Sequence, residues 1–395
     1  MRRRSIFDIQ TVTRTAIVLA VVVLLVCCIR DPELHLFDSG DIVTDFPVVE
    51  IELDTYWDYD METAYDADKK YNWRDEWYYG WDDEDIRIFG QIGYSEPSTL
   101  QLRRYFTGSE PYTSHTSVLA HTVTGHSFRA TYNWGFWDIL AWNDIYTPDG
   151  VQSLIFDEQT SLDSVIAYTN QSMFHTRYNS PTYTHSFYQP EELFSAYEQA
   201  IDINRDLKGF EYDPVNNIYI KKLNMTLVPI TYIYLTQVIL HNNRNRVTGT
   251  DGQGNLSGFG RTTVLNNGVA GPDVITVYYN NRFKSNRMKG EEPVDIIGGR
   301  MLTFGIVGQN MNLIKSRKEV LDEVPHYMDV TMLFNNGMDS TFVFDVTEQV
   351  RNRWKGGVIT VELDMDTVRI PTRKGGSAFD AVVKDFEEEI HEIEM

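Results

Sequence analysis

The side chains that could carry chemistry are unevenly placed along this chain. Its only thiols are adjacent, Cys27 and Cys28, at the end of an apolar run near the start. The body beyond them therefore has no route to a disulfide, a thiolate nucleophile or a cysteine-ligated metal. His115, His121 and His126 lie close together, but spacings of six and five residues fit no zinc-binding helix, and HExxH is absent. They read as loop and surface histidines. The acidic run Asp82-Asp83-Glu84-Asp85, with Asp58, Asp60 and Asp66 nearby, offers the oxygens that calcium prefers but lacks the central glycine of an EF-hand. It reads as a solvated acidic loop. The glycine-rich stretch 251–258 suggests a phosphate cradle, yet it has no P-loop lysine and no helix pattern after it, so it reads as a hairpin loop. No GxSxG elbow occurs, and no carboxylate pair stands out among 57 acids. With no catalytic constellation, metal set or cofactor motif, the chain reads as a non-enzyme. Trp73, Trp77 and Trp81 remain, four residues apart. Flat rings at that spacing either stack on sugar faces or fill a core.

The cysteines are positioned by a leader. Arg2, Arg3, Arg4 and Arg14, against the single acid Asp8, precede the apolar run 16–26. That is the layout of a secretory signal peptide. The run makes ~16 Å of helix, about half of a ~30 Å hydrocarbon core. It is too short to span comfortably, so a lasting anchor must be covalent. Leu25-Val26-Cys27-Cys28 resembles a bacterial lipobox, in which the last cysteine is acylated; this predicts lipidation at Cys28. Cys27 stands where Gly, Ala or Ser is commoner, so which cysteine follows the cleavage point stays open. A short signal-anchor helix is the competing reading, and both tether an exported body. Each buried CH₂ contributes about 0.8 kcal/mol, so two or more acyl chains hold stably.

The chain has 395 residues and a formal net charge of −22, and residues 1–27 hold four of its arginines. An acidic body without a basic patch excludes nucleic acid as a partner. Aromatic residues at 13% and hydrophobic residues at 42% supply packed cores. An exported body without disulfides depends on burial alone, which favours full-sized β domains.

Strand patterns dominate the remainder of the chain. Residues 1–27 are the signal peptide, and 28–47 form a tether without periodicity. A first β-sandwich covers 48–169. There Ile51, Leu53 and Thr55 alternate with Glu52, Asp54 and Tyr56, and short strands are expected over 86–89, 100–106, 117–123 and 127–134. Residues 136–142, apolar on both faces, should form a central strand. Residues 170–216 form a connector holding a helix over 190–207, with Leu193, Phe194, Tyr197, Ala200 and Ile201 on one face and Gly209 past its end. A second β-sandwich covers 217–371. It carries strands in 225–240, 274–279 and 300–307, a loop over 248–271, a hairpin 330–334/341–346 turned by Asn335-Asn336-Gly337, a short helix over 346–354 and a last strand at 358–365. Residues 372–395 form an acidic amphipathic tail, with Phe379, Val382, Val383, Phe386 and Ile390 at helical spacing. The fold class is mainly β, two tandem sandwich domains with a helical linker.

Several stretches together resemble a known family: residues 28–34, WRDEWYYGWDDED (73–85), LRRYFTG (102–108), 133–144, SFYQPEELFSAYEQA (186–200), NMTLVPITYIYLTQVILHNN (224–243), NNGMDSTFVFDVTEQV (335–350) and KGGVITVELDMDTVRIP (355–371). They resemble a domain-of-unknown-function family of Bacteroidales surface lipoproteins, similar in layout to FimB-like fimbrial anchor and minor-subunit lipoproteins. The resemblance implies transthyretin-like β-sandwich domains, lipidation at Cys28 and an outer-membrane location. It also implies partner subunits joined by strand complementation, in which one chain adds a strand to another's sheet. It carries over no catalytic residues. The expected function is a lipid-anchored fimbrial anchor, minor subunit or adhesin. The alternative is a glycan-binding surface lipoprotein that uses Trp73, Trp77 and Trp81.

Overall fold

The computed structural model of the chain describes residues 47–58, 61, 72–112, 114–145, 153–158, 165–170, 186–307, 324–372 and 391–393. The leader, Cys28 and the tether up to residue 46 lie outside these residues. In chain order the elements begin β1 (Val48–Trp57), α1 (Trp73–Glu76), α2 (Asp83–Phe89), β2 (Thr99–Gly108), β3 (Ser117–Thr124), β4 (Ser127–Tyr132) and β5 (Gly135–Asn143). The middle holds β6 (Leu154–Asp157), β7 (Ile166–Thr169), β8 (Ser186–Tyr188), β9 (Phe194–Ile203), β10 (Glu211–Asp213) and β11 (Ile218–Pro229). Then come β12 (Tyr232–His241), β13 (Val247–Gly260), β14 (Thr262–Val264), β15 (Val274–Lys289) and β16 (Glu292–Thr303). The last are β17 (Tyr327–Phe334), β18 (Asp339–Asp345), α3 (Thr347–Asn352), β19 (Gly357–Asp364) and β20 (His391–Ile393).

The fold is mainly β and is built on two large sheets. The first runs β3-β2-β5-β9-β11-β1-β4, with β10 added to β11. The second runs β19-β12-β16-β15-β13-β17-β18-β20, with β8 added to β15. A small third sheet, β14-β7-β6, covers the outer side of β2 and β5, where Leu154, Val165 and Ala167 pack on Tyr105, Leu140 and Trp142. Residues from Val49 onward form one compact unit.

Strand β12 shows why its sequence is apolar without alternation. It pairs antiparallel with β16 and parallel with β19. Tyr234, Val238 and Leu240 enter the core of the second sheet, while Ile233 and Leu235 enter the core of the first. Ile239 packs with Tyr79, Val294 and Ile296. A strand covered on both faces needs apolar residues at successive positions. The same holds for β5, the expected central strand, which lies between β2 and β9. The hairpin β17/β18, the short helix α3 and the last strand β19 also lie where the sequence places them.

Three expectations are corrected. The helix over 190–207, the helical linker, is strand β9 paired with β5. A bulge shifts the register between Trp137 and Ile139, and Ala200 opposite it takes a positive φ of 55°. The extra residue puts Phe194 and Ile201, seven apart, on one face, which imitates a helical repeat. The strand over 86–89 is instead α2, whose N-terminus is closed by a capping box between Asp82 and Asp85. The loop over 248–271 is largely strands β13 and β14. Its glycines serve close packing, since a Cβ on Gly254 would stand 2.6 Å from the Tyr279 ring. Of the tail, only Thr372 and β20 are described, and β20 pairs parallel with β18.

Candidate functional site

The segment 72–94, which carries the three tryptophans, is a strap laid over the second sheet. Asn72 opens α1 by accepting a hydrogen bond from Arg74 N at 3.2 Å. Trp73 turns inward, only 5% exposed, into the core of the first sheet. Trp77 and Trp81 are half-buried with ring centroids 6.4 Å apart. Their indole N–H groups donate to Gly80 O at 3.2 Å and Gly90 O at 3.1 Å. The structure thus brings Trp77 and Trp81 together and sets Trp73 apart from them. A ring as covered as Trp73 has no free face for a sugar.

Polar contacts fix the strap to the sheet. Gln237, fully buried on β12, accepts from Tyr78 N at 3.0 Å and Tyr79 N at 3.3 Å. Its amide donates to Glu76 O at 2.6 Å and Thr360 Oγ1 at 2.9 Å. Arg353 donates to Glu76 Oε2 at 2.7 Å, and Arg300 reaches Ile92 O, Gly93 O and Glu192. The buried Tyr79 ring occupies the place where a Cβ on Gly298 would stand, at 2.6 Å.

The acidic run 82–85 is not a solvated loop. Asp85 is fully buried and receives Tyr79 Oη at 2.9 Å, Arg282 Nη1 at 3.0 Å, Asp82 N at 2.8 Å and Lys284 Nζ. Asp82 binds Arg282 at 2.9 Å and Lys284 at 2.9 Å. Partial desolvation raises Asp82, but hydrogen bonds from Lys284, the Asp85 backbone and Arg282 outweigh it and hold the carboxyl well below the usual range. Burial, and then the Asp85 charge, push the Tyr79 phenol far upward. Among the described residues no three His, Cys, Asp or Glu side chains are grouped to hold a metal.

The second feature is a seam in the first sheet. Strands β3 and β4 end the strand order on opposite sides and follow each other through residues 125–126. β3, SVLAHTVT, carries no Asp, Glu, Lys or Arg, and Val118 and Leu119 are 36% and 42% exposed. Arg104, buried on β2, bridges the seam. Its Nη1 donates to Thr131 O at 2.9 Å and its Nε to His121 Nε2 at 3.2 Å, and its guanidinium lies 4.5 Å over the Tyr132 ring. It has no carboxylate partner among the described residues. Burial and then the Arg104 charge lower His121. His115, expected at the surface, is instead buried against Asp138 at 2.8 Å. A strand edge and a lone buried arginine leave no local motif, so pattern reading missed the seam.

Comparison with solved structures gives similar chains from Bacteroidales. A proposed adhesin from Bacteroides ovatus is 13% identical with a TM-score of 0.48, and the match covers 84% of this chain and 96% of that one. A proposed polysaccharide-binding protein from Bacteroides thetaiotaomicron is 7% identical with a TM-score of 0.40, covering 80% and 91%. The fimbrial anchor protein Mfa2 from Porphyromonas gingivalis is 11% identical with a TM-score of 0.41, covering 80% and 90%. No family model matches the chain, and no curated protein does.

Proposed function

We propose that this chain is a non-enzymatic, lipid-anchored outer-membrane protein presented at the cell surface, an anchor or minor subunit of a fimbria-like polymer that assembles by strand complementation. The observation that carries this reading is the edge of β3, which pairs only with β2 among the described residues. The strand is eight residues long, uncharged and largely exposed apart from Val123. Natural sheets usually blunt such an edge with charge, proline or a bulge, and an edge left unblunted is a template for a partner strand. Backbone groups would supply the affinity, and the side chains Val118 and Leu119 the selectivity. The other sheet supports the same reading, since its β18 edge accepts a short parallel strand, β20, from the chain's own tail.

The test places a charge on the edge. Leu119→Lys leaves the core clusters untouched but blocks strand addition, so crosslinking in intact cells should lose the ladder of higher species that the parent chain gives. Recovery of monomer alone from the parent chain would refute assembly through this edge.

A further inference from the structure

We propose that Lys284 and Asp85 form an intramolecular isopeptide bond that ties the strap covalently to β15. An amine and a carboxyl condense in water only when held in contact, oriented and dried. Prior positioning of this kind reaches effective molarities on the order of 10⁵ M or more. Here Lys284 Nζ contacts Asp85 Oδ2, and the two side chains are 7% and 0% exposed. The Tyr79 ring covers the amine, with Nζ 4.1 Å from its centroid.

The surroundings of the pair are arranged for acyl transfer. The other carboxyl oxygen, Asp85 Oδ1, receives Tyr79 Oη at 2.9 Å and Arg282 Nη1 at 3.0 Å. These two donors sit where negative charge gathers in a tetrahedral adduct. Asp82 Oδ2 lies 2.9 Å from Nζ and serves as the proton carrier. Nζ gives one proton to Asp85 Oδ2, which it contacts, the freed lone pair attacks Asp85 Cγ, and Asp82 relays the second proton from the adduct nitrogen. The Nζ–Cγ bond forms, the Cγ–Oδ2 bond breaks, and Oδ2 leaves as water with the two protons given up by the ammonium, one of them carried by Asp82. Nothing is oxidised or reduced.

Charge balance favours the product. Two cations, Arg282 and Lys284, face two carboxylates, Asp82 and Asp85. Condensation removes one of each and leaves Arg282 paired with Asp82. A buried ion pair, which repays its desolvation only with excellent geometry, becomes a neutral amide.

Tryptic digestion of the folded full chain followed by mass spectrometry tests the bond. The expected product is a branched species joining the Asp85 and Lys284 peptides, lighter by one water than their sum. Lys284→Arg keeps the charge but cannot be acylated, so it should abolish the branch. Asp85→Asn can still close, and its branch should be lighter by ammonia than the sum of its parts. Asp82→Ala should slow branch formation on the order of 100-fold. Cleavage after Lys284 together with a linear Asp85 peptide of unaltered mass, from folded parent chain, would overturn the proposal and leave the pair an ordinary buried ion pair.

Discussion

Asp329, on β17, is 6% exposed and accepts a hydrogen bond from Asn255 Nδ2 at 2.8 Å. Desolvation pushes its carboxyl from 3.8 up to about 8, and the Asn255 bond only partly opposes it. The folded chain therefore keeps a proton that the unfolded chain loses. Stability from this group is full below about 3.8, falls as pH rises towards about 8, and is level above that. Asn255 Oδ1 is buried without a donor among the described residues. Asp329→Asn removes the titration and brings an N–H to that region. Urea unfolding should show the variant more stable than the parent by more than ~1 kcal/mol at pH 8, with the gap closing towards pH 4. A gap that widens towards acid would refute this assignment. Sequence placed a strand at 330–334, which begins one residue past Asp329, so nothing in it speaks to the burial of that acid or of the face it lies on. Only the tertiary packing over that face makes it dry.

At the scale of elements, one buried amide fastens the strap to two strands. Gln237 makes four hydrogen bonds with no exposed surface, joining Glu76, Tyr78 and Tyr79 to β12 and β19. Gln237→Leu keeps the bulk but strands two backbone N–H groups and a carbonyl out of water, at ~1–3 kcal/mol for each unpaired group. A loss of about 3 kcal/mol or more in denaturant unfolding is expected, and a loss under 1 kcal/mol would mean that the strap is held elsewhere. The sequence marks this block as unusual through its tryptophans and acids, yet points to no partner for either. The cations that neutralise Asp82 and Asp85 lie some two hundred residues on, at Arg282 and Lys284. Strand β9 reads as a helix for a related reason. Its bulge at Ala200 is set by pairing with β5, and Asp138 Oδ1 accepts from Ala200 N at 2.7 Å.

For the whole molecule, a net charge of −22 makes like chains repel at long range. Contacts between copies or with partners must then form where charge is sparse, and β3 is such a place. Tethering restricts where those contacts occur. If Cys28 carries the lipid, Cys28→Ser should shift the chain from the membrane fraction to the soluble fraction of cells, as immunoblotting of the fractions would show. Full retention in the membrane would instead favour the signal-anchor helix.

The sequence by itself determined the mainly β class, the central strand β5, strand structure within 225–240, the hairpin β17/β18 and the absence of thiols beyond Cys28, since each follows from local periodicity, turn chemistry or composition. Tertiary structure alone decided that the tryptophan block is a strap, that Asp85 is buried against Lys284 and Arg282, and that β3 and β4 leave a seam bridged by Arg104. Those features depend on which distant strands come to lie side by side, and no spacing along the chain records that.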